Sequence, residues 1–237
     1  MEKFSYLIWV LFFAVIWLPI FLSRPDLRKQ SLTVGAFVAL LTPLVGWWYL
    51  QDYWNPVFFM EINLADLRTS VEELFLGFFT GAISSVAYET VFKKRLDKEK
   101  RPITWAFPFL MLGSMYLFAA FLVWQTGLNS IYASFVAFIL GIALMVILRR
   151  DLVKAGFISG LLFSAILFLS YVVWLEVLFP GTIEKRWFLS NLSHLLVLGI
   201  PVEEIVWGFL WGWVAGMIYK VWQGLSIRGF VDKFGNS

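Results

Sequence analysis

Seven apolar stretches, near residues 4–23, 31–50, 70–92, 103–124, 128–148, 155–178 and 194–222, take up most of the chain. Each is long enough to cross about 30 Å of hydrocarbon at roughly 1.5 Å per residue. The 237 residues are 60% hydrophobic and 15% charged, whereas a soluble domain is nearer half apolar and a quarter charged. A water-soluble fold of this size needs a polar skin that the sequence does not supply. A soluble globular enzyme is therefore excluded, and so is disorder. The first stretch reads as a transmembrane helix and not as a signal peptide, because its apolar run is too long and no small-residue cleavage site precedes Arg24-Pro25-Asp26. Pro201 predicts a kink or a pre-helix in the first third of the last stretch. No strand is expected.

The sequence pI is about 9.1, and the position of the charges explains it. Arg24, Arg28, Lys29, Lys93, Lys94, Arg95, Lys98, Lys100, Arg101, Arg149, Arg150, Lys154, Lys220, Arg228 and Lys233 fall on one side of the predicted spans; Lys3, Arg68, Lys185 and Arg186 fall on the other. Fifteen against four predicts an outside N-terminus and a cytoplasmic C-terminus. The basic excess thus belongs to topology and anionic headgroups, with no nucleic acid implied. The chain has no cysteine, which removes disulfides, thiolate catalysis and thiolate metal sites together. Its one histidine, His194, reads as an interfacial residue at the start of the last helix, and no metal site is expected.

Comparing the halves reveals an internal similarity. Val71-Glu72-Glu73-Leu74-Phe75-Leu76-Gly77-Phe78-Phe79-Thr80-Gly81 aligns with Val202-Glu203-Glu204-Ile205-Val206-Trp207-Gly208-Phe209-Leu210-Trp211-Gly212 at an offset of 131, with Tyr88 over Tyr219. Upstream, Asp26-Leu27, Lys29 and Gly35 align with Asp151-Leu152, Lys154 and Gly160 at an offset of 125. The expected architecture is an all-α membrane protein. Its seven transmembrane helices form two parallel three-helix repeats joined by a linker helix. The boundaries are 1–92 for the first repeat, 93–127 for the basic loop and linker helix, and 128–237 for the second repeat with its cytoplasmic tail.

Glu73, Gly77, Gly81, Ser85 and Glu89 recur at i+4, as do Glu204, Gly208, Gly212, Gly216 and Lys220. Small residues let helices approach closely in lipid, so the two motif helices are expected to cross along these rows. Glu73 would then meet Glu204, with Glu72 and Glu203 turned about 100° away, and Glu89 could pair with Lys220. A carboxylate within a span costs about 2.5–3.5 kcal/mol and by default marks function. Glu72, Glu73, Glu203 and Glu204 are the candidate catalytic residues. The helix dipole favours the ionised form, and burial beside another carboxylate opposes it. A protonated acid beside a carboxylate is an acid–base device; the alternative is that the outer glutamates simply cap their helices. Tyr53, Trp54, Phe78, Tyr88, Trp207, Phe209, Trp211 and Tyr219 are the candidate substrate-binding residues. Trp187 and Trp213 lie near them. Aromatic faces stabilise cations, although rings at a membrane interface are also expected in any multi-span protein.

Two three-helix units carrying a Pro-x-Glu-Glu motif, here Pro201-Val202-Glu203-Glu204, resemble the integral-membrane lycopene cyclases of bacteria, archaea and fungi. In the first unit Ser70 occupies the position of the motif proline. The resemblance implies a redox-neutral isomerisation of a hydrophobic polyene in the cell membrane. An acid protonates a terminal double bond, the carbocation closes a ring, and a base removes a proton to leave a β-ionone end. No Gly-x-Gly-x-x-Gly flavin fingerprint is present, and no cofactor is expected. Two other readings remain: a small-solute transporter of three–one–three parallel-repeat plan, and a non-catalytic polyisoprenoid-binding membrane protein.

Overall fold

The computed structural model describes residues 2–64 and 67–229; Lys233 and the rest of the C-terminal tail lie outside the described residues. The elements in chain order are α1 (Ser5–Ser23), α2 (Arg28–Asp52), β1 (Glu61–Leu64), β2 (Leu67–Ser70), α3 (Val71–Val91), β3 (Arg95–Lys98) and α4 (Phe107–Thr126). They continue with α5 (Ser130–Leu148), α6 (Val153–Tyr171), the short α7 (Thr182–Arg186), β4 (Leu196–Val197), β5 (Ile200–Pro201), α8 (Val202–Gln223) and β6 (Leu225–Arg228). Among the described residues, seven helices (α1–α6 and α8) are long and apolar enough to cross a membrane. Beyond Tyr171, α6 runs on as a wider π-helix, Val172–Leu178.

The last span is shorter than expected. Residues 194–201 are not helical: Leu196–Val197 pair antiparallel with Ile200–Pro201, and α8 starts at Val202. The turn residues Leu198 and Gly199 have φ of 48° and 79°, the left-handed pair that a two-residue hairpin demands. Apolar residues in this segment therefore mimic a helix by hydropathy alone. His194, with φ 62°, sits before this hairpin and is not a helix-start residue. The expectation of no strand also fails. Three two-stranded ribbons, β1–β2, β4–β5 and β3–β6, satisfy backbone groups in the connections.

The two motif helices begin differently. Ser70 caps α3, its Oγ accepting from Glu73 N at 3.0 Å. Pro201 precedes α8 with φ −55° and offers no side-chain cap.

The glycine rows are not where α3 and α8 meet. Gly77 lies against Thr42 and Ala39, and Gly81 against Val38 and Val34, all on α2. Gly208 lies against Ser164 and Leu167, Gly212 against Phe163 and Gly160, and Gly216 against Ser159, all on α6. The α3 row is covered by α2 and the α8 row by α6, where the missing side chains of the glycines let the helices approach closely. Two backbone contacts correspond: a Cβ on Gly35 would stand 2.8 Å from Phe78 O, and one on Gly160 would stand 2.6 Å from Phe209 O.

At one end of the bundle, Arg24 Nη2 bonds Asp26 Oδ2 at 2.7 Å and Lys94 O at 2.6 Å. There too, Arg149 Nη2 bonds Asp151 Oδ2 at 2.6 Å and Leu225 O at 2.8 Å. Strands β3 and β6 pair antiparallel beside them, from Arg95–Arg228 to Lys98–Leu225. At the opposite end, Asp52 ties the loops together by accepting from Ser130 N at 2.8 Å through Oδ2 and from Asn191 Nδ2 at 2.8 Å through its carbonyl.

Candidate active site

A cavity of about 180 Å³ opens between the helices at the end where α3 and α8 begin, and Glu73 and Glu204 both line it. Each is the third residue of its helix. The same start that repeats in sequence thus delivers one carboxylate from each of α3 and α8 to one space. Eleven of the other 26 wall residues are aromatic: Tyr6, Trp9, Trp48, Tyr49, Tyr53, Trp54, Tyr116, Phe138, Tyr171, Trp207 and Trp211.

Glu204 is held from three directions. Tyr171 Oη donates to Oε2 at 2.7 Å, Trp187 Nε1 donates to Oε1 at 2.7 Å, and Tyr53 Oη donates to Oε1 as well. Burial, followed by the charge of Glu204, pushes the Tyr53 phenol well above its ordinary pKa, so it stays a donor. Glu73 accepts from Thr69 Oγ1 at 2.9 Å through Oε2. Its other face is seated on α2, where a Cβ on Gly46 would stand 2.9 Å from Oε1. Both carboxylates are almost wholly buried.

The neighbouring glutamates face loops. Glu72 Oε1 accepts from the backbone N–H of Phe59 at 2.6 Å and of Met60 at 3.0 Å. Glu203 Oε1 accepts from Ser193 N at 2.8 Å and Tyr132 Oη at 2.7 Å. Neither lines the cavity. A helix turns about 100° per residue, so adjacent glutamates cannot share one face.

Of the eight aromatic residues singled out from the sequence, Tyr53, Trp54, Trp207 and Trp211 line the cavity. Phe78, Tyr88, Phe209 and Tyr219 do not. Phe78 and Phe209 pack over Gly35 and Gly160. Tyr88 lies against Phe92, and Tyr219 against Trp222, with ring centroids 5.1 and 5.8 Å apart. Trp213, also noted, meets Phe157 edge-on.

Sequence reasoning missed Tyr6, Trp9, Tyr49 and Tyr171 on the wall, and Thr69 behind Glu73. The one available signal was chemical: a buried Tyr or Trp needs a partner for its polar tip, and Glu204 supplies it for Tyr171. Trp9 stacks 4.6 Å from Trp174, which the π-helix carries, and 4.9 Å from Tyr171. Glu89 and Lys220 do pair, Nζ to Oε1 at 2.6 Å, fully buried at the far end of the same two helices. No three His, Asp or Glu side chains cluster as a metal site among the described residues.

The fold and site define a mostly helical protein, with seven helices long and apolar enough to cross a membrane and two buried carboxylates on one cavity. Residues 129–222, which hold α5, α6 and nearly all of α8, match the family model described as lycopene cyclase, and the match supports a lycopene cyclase domain there. That match supports carotenoid cyclase function in general terms, together with a membrane setting and a hydrophobic substrate. No curated protein and no solved structure matches the chain.

Proposed function

We propose that this protein is a membrane-embedded cyclase acting on a carotenoid-type polyisoprenoid by acid–base isomerisation, without a redox cofactor. The observation that carries this reading is the convergence of Glu73 and Glu204, one from each motif helix, on a single aromatic cavity. Glu73, with one side-chain hydroxyl on its carboxyl group, is the acid that delivers a proton to a terminal alkene carbon. The tertiary cation then forms a carbon–carbon bond within the chain, held against the faces of Trp207, Trp211 and Tyr49. Glu204, fixed by three neutral donors, is the base that removes a ring proton. One proton enters and one leaves, so the product is an isomer. Preorganised donors and carboxylates in a dry site act without reorientation during the reaction.

Glu72 and Glu203 act as positioning residues, holding the loops that precede α3 and α8. The two halves are read as parallel repeats, with α4 as linker, an outside N-terminus and a cytoplasmic C-terminus. The equivalent Arg24–Asp26 and Arg149–Asp151 clamps, on carbonyls 131 residues apart, support that reading, as does the count of basic residues.

The test is expression in a lycopene-accumulating host and chromatography of the pigments. Cyclic end groups are expected, with loss of more than 90% of the product in Glu73→Gln and in Glu204→Gln. Unchanged lycopene with the protein present in the membrane, or full activity in both variants, overturns the proposal.

A further inference from the structure

A cavity of about 150 Å³ holds about one benzene, so the space of about 180 Å³ beside Glu73 and Glu204 takes one end group of a polyisoprenoid and not the whole chain. The remainder needs a passage through the helical wall. Glycines show where that wall is sealed. Among the described residues, every helical glycine but one would bring a Cβ within 3.0 Å of a neighbouring helix. Gly113 of α4 is the exception, with nothing within 4 Å of its Cβ position. Close packing therefore does not account for this glycine, which costs a helix interior about 1 kcal/mol against alanine.

Gly113 stands at the seam between α4 and α2. Phe109, Gly113 and Tyr116 follow at i, i+4 and i+7, which puts them on one face of α4. Phe109 meets Phe37 of α2 edge-on, with centroids 4.4 Å apart. Tyr116 stacks on Trp48 of α2 at 4.3 Å, and its Oη donates to Leu44 O at 3.2 Å. Two aromatic closures thus flank the gap. On its inner side, Leu112 and Met115 of α4 and Leu41 and Val45 of α2 line the cavity. On its outer side, Leu110 and Leu117 are 64% and 67% exposed. Pro43, between the two contacts, removes one ladder bond from α2.

We propose that the gap at Gly113 is the site of the substrate's chain: one end group fills the cavity, and the rest of the polyisoprenoid runs out between α2 and α4 into the bilayer. This rests on the function proposed above and adds where the uncyclised part of the molecule lies. The missing side chain at Gly113 keeps that passage clear, and the apolar residues on both sides of it suit a hydrocarbon chain. Gly113 is then a specificity-determining position that touches the chain and not the reacting carbons.

Gly113→Ala, Gly113→Leu and Gly113→Phe are expressed as full chains in the lycopene-accumulating host, and pigments and thermal midpoints are measured. Cyclic product per folded molecule is expected to fall stepwise with side-chain size, by about tenfold or more in Gly113→Phe. The midpoint of Gly113→Ala should stay at or above that of the unmodified protein, because the space is open and glycine is the poorer helix former. Undiminished product in Gly113→Phe overturns the inference and leaves the cyclase reading standing. A midpoint that already falls in Gly113→Ala shows that the space is filled, and overturns it too. Absence of cyclic product from the unmodified protein overturns the inference together with the function on which it rests.

Discussion

Lys220 Nζ stands 2.6 Å from Glu89 Oε1 with both side chains fully buried, and the two residues are equivalent positions of α3 and α8, 131 apart. Under the proposed repeat, first halves pairing with each other would set glutamate against glutamate, and second halves lysine against lysine. The opposite charges fit only the pairing of one half with the other. Removing one partner leaves an uncompensated buried charge, which costs about 3–5 kcal/mol. Lys220→Met alone is expected to lower the thermal midpoint in detergent sharply, and Glu89→Leu/Lys220→Met to recover most of it. Equal midpoints for the single and double variants would show that the pair is not coupled.

Glu72 and Glu73 separate in their effects. Glu72→Ala frees the Phe59 and Met60 N–H groups and is expected to cost about 1.5–3 kcal/mol of stability, in the range of hydrogen bonds to charged groups. Product formation per folded molecule should fall far less than in Glu73→Gln. Pigment yield normalised to folded protein, compared across both variants, checks this.

Gly46→Ala places a methyl group 2.9 Å from Glu73 Oε1 and 3.3 Å from Oε2. The obstacle is the end of a flexible side chain, so the fold should survive while the carboxyl group is displaced. Turnover is expected to drop at least tenfold, equivalent to about 1.4 kcal/mol, with little change in thermal midpoint. Gly160→Ala behaves the other way. Its Cβ would press on the Phe209 backbone oxygen at 2.6 Å, and a stability loss of about 1–3 kcal/mol is expected from overpacking.

Tyr53 brings a pH dependence. Its folded pKa is raised by burial and then by the charge of Glu204, above the ordinary phenol value of about 10. The unfolded chain releases this proton first, so the contribution of Tyr53 is complete below about pH 10 and is lost as pH rises through the folded value. Thermal midpoints measured from pH 8 to 11 should fall at the alkaline end, and less steeply in Tyr53→Phe. An unaltered slope in that variant would contradict the assignment.

The spans were legible in the sequence because hydropathy and length suffice to place a membrane helix. The exception is instructive: Leu195 to Ile200 is as apolar as any helix here, and only the backbone angles at Leu198 and Gly199 distinguish its hairpin. The glutamate pairs were legible because charge is rare in a span. The i+4 rows set Glu73 with Glu204 and turned Glu72 and Glu203 away, and Glu73 and Glu204 do line one cavity, although the glycines of those rows pack on α2 and α6. The glycine rows were visible, yet their partners were not, because a period of small residues marks a helix face that can be approached closely and does not say which neighbour approaches it. Tyr6 and Tyr171 were hidden among other aromatics, and their significance lies wholly in what stands opposite them.

The cavity wall is drawn from both sides of the molecule: Tyr6, Trp48 and Glu73 from α1, α2 and α3, and Phe138, Tyr171 and Glu204 from α5, α6 and α8. Any occupant is therefore also a bridge. Its binding energy adds to the cohesion of the two halves, by RT ln(1 + [L]/Kd) for a ligand absent from the unfolded chain. Under the proposed function, the protein should be sturdier in a membrane rich in its substrate than in an empty one, so that supply of that substrate governs its lifetime as well as its turnover.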